Sequence, residues 1–232
     1  MMSLDQFSQT HPLLSPSLRK ASDGATTAVF PTQLRWTRLP VRPRATAALR
    51  ARLTVADPTA RHRVAGALLP DGAAIGRYVA LTNPALYFVA EVPEAGGTFG
   101  GGVASSVLDC LQERPRRVDL SLAQQLSRSW ARPTAGAVLR VGRHRTLPDQ
   151  TPATVEAYTL HVAAQLADPD SGYLASAMYR GVGEASLLYF FTWFSSRADV
   201  ERHAHSSALV ETRERLTSTL QERLEIWDLT VV

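Results

Sequence analysis

Leu187-Leu188-Tyr189-Phe190-Phe191-Thr192-Trp193-Phe194 decides how this chain must fold. The stretch is short, aromatic-rich and nearly continuous in apolar side chains, the pattern of a strand buried on both faces. Alternation along a strand places Leu187, Tyr189, Phe191 and Trp193 on one face and Leu188, Phe190, Thr192 and Phe194 on the other. Helices can cover one of these faces. The other needs a second sheet.

The neighbouring sequence supplies the rest of the unit. Tyr173 to Val182 pairs with the stretch as a hairpin. Before it stands a strand at Ala137-Val138-Leu139-Arg140-Val141 and a helix opened by Thr151-Pro152, with Val155, Tyr158, Val162 and Leu166 on one side. After it, Ser196-Arg197-Ala198-Asp199 starts a helix that bends near Ser206-Ser207, and Leu224 to Val232 ends the chain as a strand. The order is β-α-β-β-α-β. The same order is expected roughly a hundred residues earlier: a strand from Ala47 to Val55, a helix beginning near Asp57-Pro58, and strands at Ile75–Leu81 and Ala85–Val92 turned at Thr82-Asn83-Pro84. The glycine-rich loop 96–102, a helix carrying Val103, Val107, Leu108 and Leu111, and a strand at Arg117–Leu122 complete it. Leu86-Tyr87-Phe88 even recurs as Leu188-Tyr189-Phe190. In such a motif two helices cover one sheet face and leave the other bare, so two copies can close on each other and enclose a ligand space. The expected division is an N-terminal arm at 1–44, a diverged first half at 45–126 and a second half at 127–232.

Composition limits the function. A chain of 232 residues with 45% apolar side chains can bury a sizeable core. The 25 basic and 21 acidic residues leave a formal charge of +4, and Lys20 is the sole lysine, so the basic character comes from arginine. The densest basic run, Arg35 to Arg52, is broken by Pro40 and Pro43 and reads as a solvated connector, not a nucleic-acid surface. Cys110 stands alone, which excludes an internal disulfide and a cysteine-rich metal site and fits a reducing compartment. The first thirty residues hold no apolar core of signal-peptide length, and no segment approaches the roughly 18 to 20 apolar residues of a membrane span. A cytoplasmic protein with no membrane partner is expected.

The segment from Gly172-Tyr173 through Trp193-Phe194-Ser195 and His203-Ala204-His205-Ser206 to Leu229 resembles the antibiotic-biosynthesis-monooxygenase group of dimeric α/β barrels. The resemblance implies an α+β fold in which two tandem ferredoxin-like halves form an intrachain pseudo-dimeric barrel. It also implies a cofactor-independent monooxygenase-like activity on a small aromatic or hydrophobic molecule. Trp193, His203 and Arg180 are then the expected catalytic residues, with Tyr189, Phe191 and Trp193 against the ligand; neither cofactor nor metal is expected, and the chain is a monomer or a homodimer. The alternative is a non-catalytic ligand-binding or structural barrel. Two departures bear on the choice. The asparagine that the group's oxygenases place near the strand tryptophan falls at Tyr189, Asn83 being the only asparagine in the chain, and the iron-binding histidine of its haem-degrading members falls at Arg213.

Individual residues carry further expectations. His203 and His205 lie two apart on a helix and cannot share a metal; one faces solvent and the other is free for acid–base work. His161, three residues after Tyr158, reads as a packed or hydrogen-bonded pair, and His144 between Arg143 and Arg145 reads as exposed. Aligning the two Leu-Tyr-Phe repeats sets Glu91 opposite Trp193, which assigns the ligand to the C-terminal half.

Overall fold

The computed structural model describes residues 30–49, 75–93, 99, 105–127 and 136–231. The strands are β1 (Gln33–Pro40), β2 (Ile75–Ala80), β3 (Leu86–Glu91), β4 (Arg116–Ser127), β5 (Val138–Arg145), β6 (Tyr173–Gly181), β7 (Glu184–Phe194) and β8 (Glu225–Val231). The helices are α1 (Ser105–Leu108), α2 (Thr151–Ala167), α3 (Arg197–Ala204) and α4 (Ser207–Thr217).

Local chemistry explains the boundaries. α2 begins with Pro152 in its first turn, where a missing N–H costs nothing, and stops before Pro169. The β6–β7 hairpin turns through Gly183, whose φ of 79° suits glycine. Ser196 caps α3 by accepting from the Asp199 amide, and Ser206 caps α4 by accepting from Leu209, so His205 marks a break between two short helices. None of these helices is long and apolar enough to cross a membrane.

The eight strands form a closed barrel in the order β1-β3-β2-β8-β5-β7-β6-β4, with every ladder antiparallel. Read round the ring, the first four strands run β4-β1-β3-β2 and the last four β8-β5-β7-β6. The β2–β8 and β4–β6 ladders join the two quartets. Both faces of β7 are buried within the one chain. One face fills the lumen, together with Trp36, Tyr78, Phe88 and Tyr179. The other packs on α2 and α3 through Phe190, Phe194, Val162 and Val200. β1 and β3 cover a smaller outer core of Leu39, Tyr87, Val89, Val107 and the buried Cys110.

Three expectations need correction. The first strand is Gln33–Pro40, inside the segment read as an arm, because Leu34 and Trp36 alternate into the lumen. Residues 47–49 are helical where a strand was expected, and the remainder of that expected strand, like the glycine-rich loop and the helix expected near Asp57-Pro58, lies outside the described residues apart from Phe99. The basic run therefore starts in the barrel wall, where Arg35 pairs with Asp119 at 2.7 Å. The third correction is one of phase. Leu86 and Phe88 face the lumen, whereas Leu188 and Phe190 face outward, so the repeated tripeptide is one residue out of step and every side chain is on the opposite face. Glu91 accordingly points outward, not into the enclosed space between the sheets; it is 8% exposed, and burial raises its pKa against the opposing pull of Arg35 and Arg117.

Candidate functional site

The outward face of β5 and β7 supplies one wall of a cavity of about 70 Å³, and α2, α3 and α4 supply the other. Three histidines converge on it. His144 comes from β5, His161 from the buried side of α2 and His203 from the last turn of α3. All three are less than a tenth exposed. The imidazoles of His161 and His203 lie 5.1 Å apart, and His203 also meets Tyr173 at 5.5 Å and Phe194 at 5.2 Å.

Hydrogen bonding fixes the tautomer of His161. The single hydroxyl proton of Thr212 is donated to the Ala208 carbonyl at 2.7 Å. The contact of 3.1 Å between Thr212 Oγ1 and His161 Nδ1 then requires the ring nitrogen to donate. His161 Nε2 therefore carries the lone pair, and it is buried without a hydrogen-bond partner among the described residues. Burial lowers the pKa of His161 to about 4, against a raising contribution from the Ala208 backbone. Burial lowers His203 to about 3, helped by His161, Arg140 and Arg213, and burial alone lowers His144 to about 3. All three are neutral near pH 7.

A polar network lines the same cavity. The Tyr158 hydroxyl bonds Ser176 at 2.8 Å and Thr192 at 2.9 Å, and Tyr173 reaches Thr192 at 3.3 Å. Arg140 and Arg213 complete the polar lining. The arrangement offers an unpaired base, hydroxyl donors and an aromatic wall in a site shielded from water. Among the described residues no group of three histidines, cysteines or carboxylates could hold a metal.

The residues expected from sequence divide between compartments. Tyr189, Phe191 and Trp193 come together in the lumen, but as filler: Phe191 meets Trp36 edge-on at 5.0 Å, Trp193 meets Tyr78 at 6.4 Å, and both are 0% exposed. None of the three lines this cavity, and of them only Tyr189 borders a second cavity, at one end of the lumen. His203 lies on the other side of the sheet from Trp193, because odd-numbered residues of β7 face inward and the helices pack outside. Arg180 is exposed on the outer side of β6, where alternation after the inward Tyr179 puts it, so the expected catalytic trio does not converge. His205 is exposed, as one of the pair had to be, whereas His144 is buried, contrary to expectation.

The motif residues themselves hold the α3 corner. Ser195 and Ser196 both donate to the Asp199 carboxylate, which also pairs with Arg202 at 2.9 Å. Burial works against the Asp199 charge, but those serines and Arg202 hold its pKa below the usual value. Gly172 has a φ of 68° and backs directly on Asp199, and the Ser206 hydroxyl donates to the His203 carbonyl at 2.9 Å.

An eight-stranded antiparallel α/β barrel closed within one chain, with helix-covered cavities outside it, defines the structural class. Solved proteins share this fold across most of their length. An anthrone oxidase-like protein superposes with a TM-score of 0.60 at 13% identity, covering 90% of this chain and 93% of its own. A proposed monooxygenase from Lactobacillus acidophilus NCFM gives 0.56 at 12% identity over 86% and 94%. A major regulator of staphylococcal pathogenesis gives 0.51 at 9% identity over 86% and 99%, so the fold alone does not define an activity. No family model and no curated protein matches the chain.

Proposed function

We propose that the chain is a cofactor-independent monooxygenase-like enzyme acting on a small electron-rich aromatic molecule in the cavity between helices and sheet. The carrying observation is His161, neutral and buried, with Nε2 unpaired and Nδ1 anchored on Thr212. In this reading Nε2 takes a proton from an acidic methylene flanked by aromatic rings. The resulting carbanion gives electrons to dioxygen; the methylene carbon keeps one oxygen atom as a carbonyl, and the other leaves as water. CH2 and O2 thus become C=O and H2O, and no external reductant is consumed. Tyr158 and Tyr173 donate to developing oxygen charge, while His203 and Phe194 flank the ring. Trp193 packs the lumen and Arg180 stays outside.

The likeness to the anthrone oxidase-like protein supports this reading at the level of fold. The small cavity favours the second reading, a barrel without turnover: about 70 Å³ is below the roughly 150 Å³ of an apolar cavity that accepts benzene. Catalysis therefore requires α3 and α4 to yield at the His205-Ser206 break. The shared quartet orders β4-β1-β3-β2 and β8-β5-β7-β6 support two tandem ferredoxin-like copies, the first at 45–126 extended upstream to include β1.

Oxygen uptake with anthrone tests the proposal. Wild-type protein is expected to consume one O2 per anthrone, His161→Leu to lose at least about a hundredfold in rate, and Arg180→Gln to keep it. Equal uptake by wild type and His161→Leu, or no uptake by either, overturns it in favour of the non-catalytic barrel.

A further inference from the structure

One end of the lumen is open, and it is not lined like the rest of the barrel. Trp36 and Arg38 on β1, Arg143 and Arg145 on β5 and Glu225 and Trp227 on β8 have the strand parity of lumen residues. Where Phe191 and Trp193 fill the middle, these side chains instead bound a cavity of about 520 Å³, within the range of roughly 300 to 1,000 Å³ typical of small-molecule sites. Trp36, Phe88, Tyr189 and Trp227 are its aromatic surfaces.

Its arginines are incompletely answered. Five arginines and three glutamates line the space. Arg145 pairs with Glu184 and, at 2.9 Å, with Glu222, and Arg143 pairs with Glu222 at 3.2 Å. Arg116 has Glu113 at 3.7 Å on the rim, so net charge does not make the case. Arg38 does. Its nearest carboxylate is Glu225 at 3.8 Å, which Arg143 shares at the same distance. Its Nε is buried without a hydrogen-bond partner among the described residues, and its guanidinium stands 5.7 Å from the Trp227 ring centre. Trp36, 2% exposed and two residues away on the same face, also has an indole Nε1 without a partner among the described residues. Both unmet atoms are donors, so the complementary group must accept hydrogen bonds, and a planar carboxylate matches the guanidinium fork.

We propose that this mouth binds a small aromatic carboxylate, its carboxylate on Arg38 and its ring among Trp36, Phe88 and Trp227. The site is separated by the barrel wall from the histidine cavity. A ligand here can act as an effector or occupy a second binding function without entering the catalytic space.

Calorimetric titration of the full chain with 2-naphthoate tests this, with 2-naphthalenemethanol and inorganic phosphate as comparison probes. Saturable binding of one naphthoate is expected, weakened about tenfold or more in Arg38→Gln and about threefold in Trp36→Phe. His161→Leu is expected to leave it unchanged, which separates this site from the proposed catalytic one. Equal affinity for the neutral alcohol, phosphate binding as tight as naphthoate, or loss of binding in His161→Leu with retention in both mouth variants overturns the proposal. Trp36→Phe keeps the test valid if Arg38→Gln does not fold.

Discussion

A β-carbon at Gly172 would fall on the Asp199 side chain, and a φ of 68° is already costly for any other residue. Gly172→Ala is therefore expected to lower stability by about 2 kcal/mol or more, read as a shift in the urea midpoint, because it displaces the carboxylate that Ser195 and Ser196 hold. The buried histidines give a second expectation. Their folded pKa values lie below the unfolded value of about 6.5, so the unfolded chain binds more protons and stability falls as pH drops from about 6.5 toward 4. Each contributes up to about 2 kcal/mol of that loss by pH 5. Urea titrations at pH 7 and pH 5 should show the loss, and His144→Leu should make it smaller; an unchanged acid slope would mean that His144 is not buried neutral. The surroundings of His161 were not legible in sequence. Its neighbour Tyr158 is visible at helical spacing, but Thr212, which sets the tautomer, is 51 residues away.

At the scale of the element, β7 was readable because eight successive side chains leave no polar face for solvent. Its partners were readable from period two, and Thr151-Pro152, Ser196 and Ser206 marked helix starts by chemistry that operates within one turn. Phase between distant strands is different. Leu86-Tyr87-Phe88 and Leu188-Tyr189-Phe190 look equivalent, yet only ladder register shows that they face opposite ways. β1 was missed because two apolar islands among Ser, Thr and Pro resemble a surface arm until the barrel supplies neighbours for Leu34 and Trp36. Since Phe191 fills lumen volume, Phe191→Ala is expected to cost roughly 3 to 5 kcal/mol in equilibrium unfolding while leaving anthrone-dependent oxygen uptake per folded molecule within about twofold. A large loss of activity with unchanged stability would instead make the lumen the reaction site.

At the scale of the molecule, closure within one chain removes the free sheet edges that two open quartets would expose. A fragment spanning 136–232 would bare Leu139, Val141, Phe191 and Trp193, and it is expected to self-associate on size exclusion, whereas the whole chain buries these residues without a second copy. A fragment that remains monomeric with native tryptophan emission would contradict that dependence on the first quartet. Sequence order made a two-sheet architecture legible, but it pointed to the space between the sheets as the site, because strand alternation alone cannot tell a filled lumen from an open one. His161, the base proposed here, with Nε2 unpaired among the described residues, lies outside the barrel, under the helices. NMR of histidine ring nitrogens and tryptophan indoles during titration with 1,8-dihydroxyanthraquinone tests that claim most directly. The expected result is perturbation of the His161 and His203 rings with the Trp193 indole unchanged. A shifted Trp193 indole with both histidines unmoved would contradict it and return the site to the lumen.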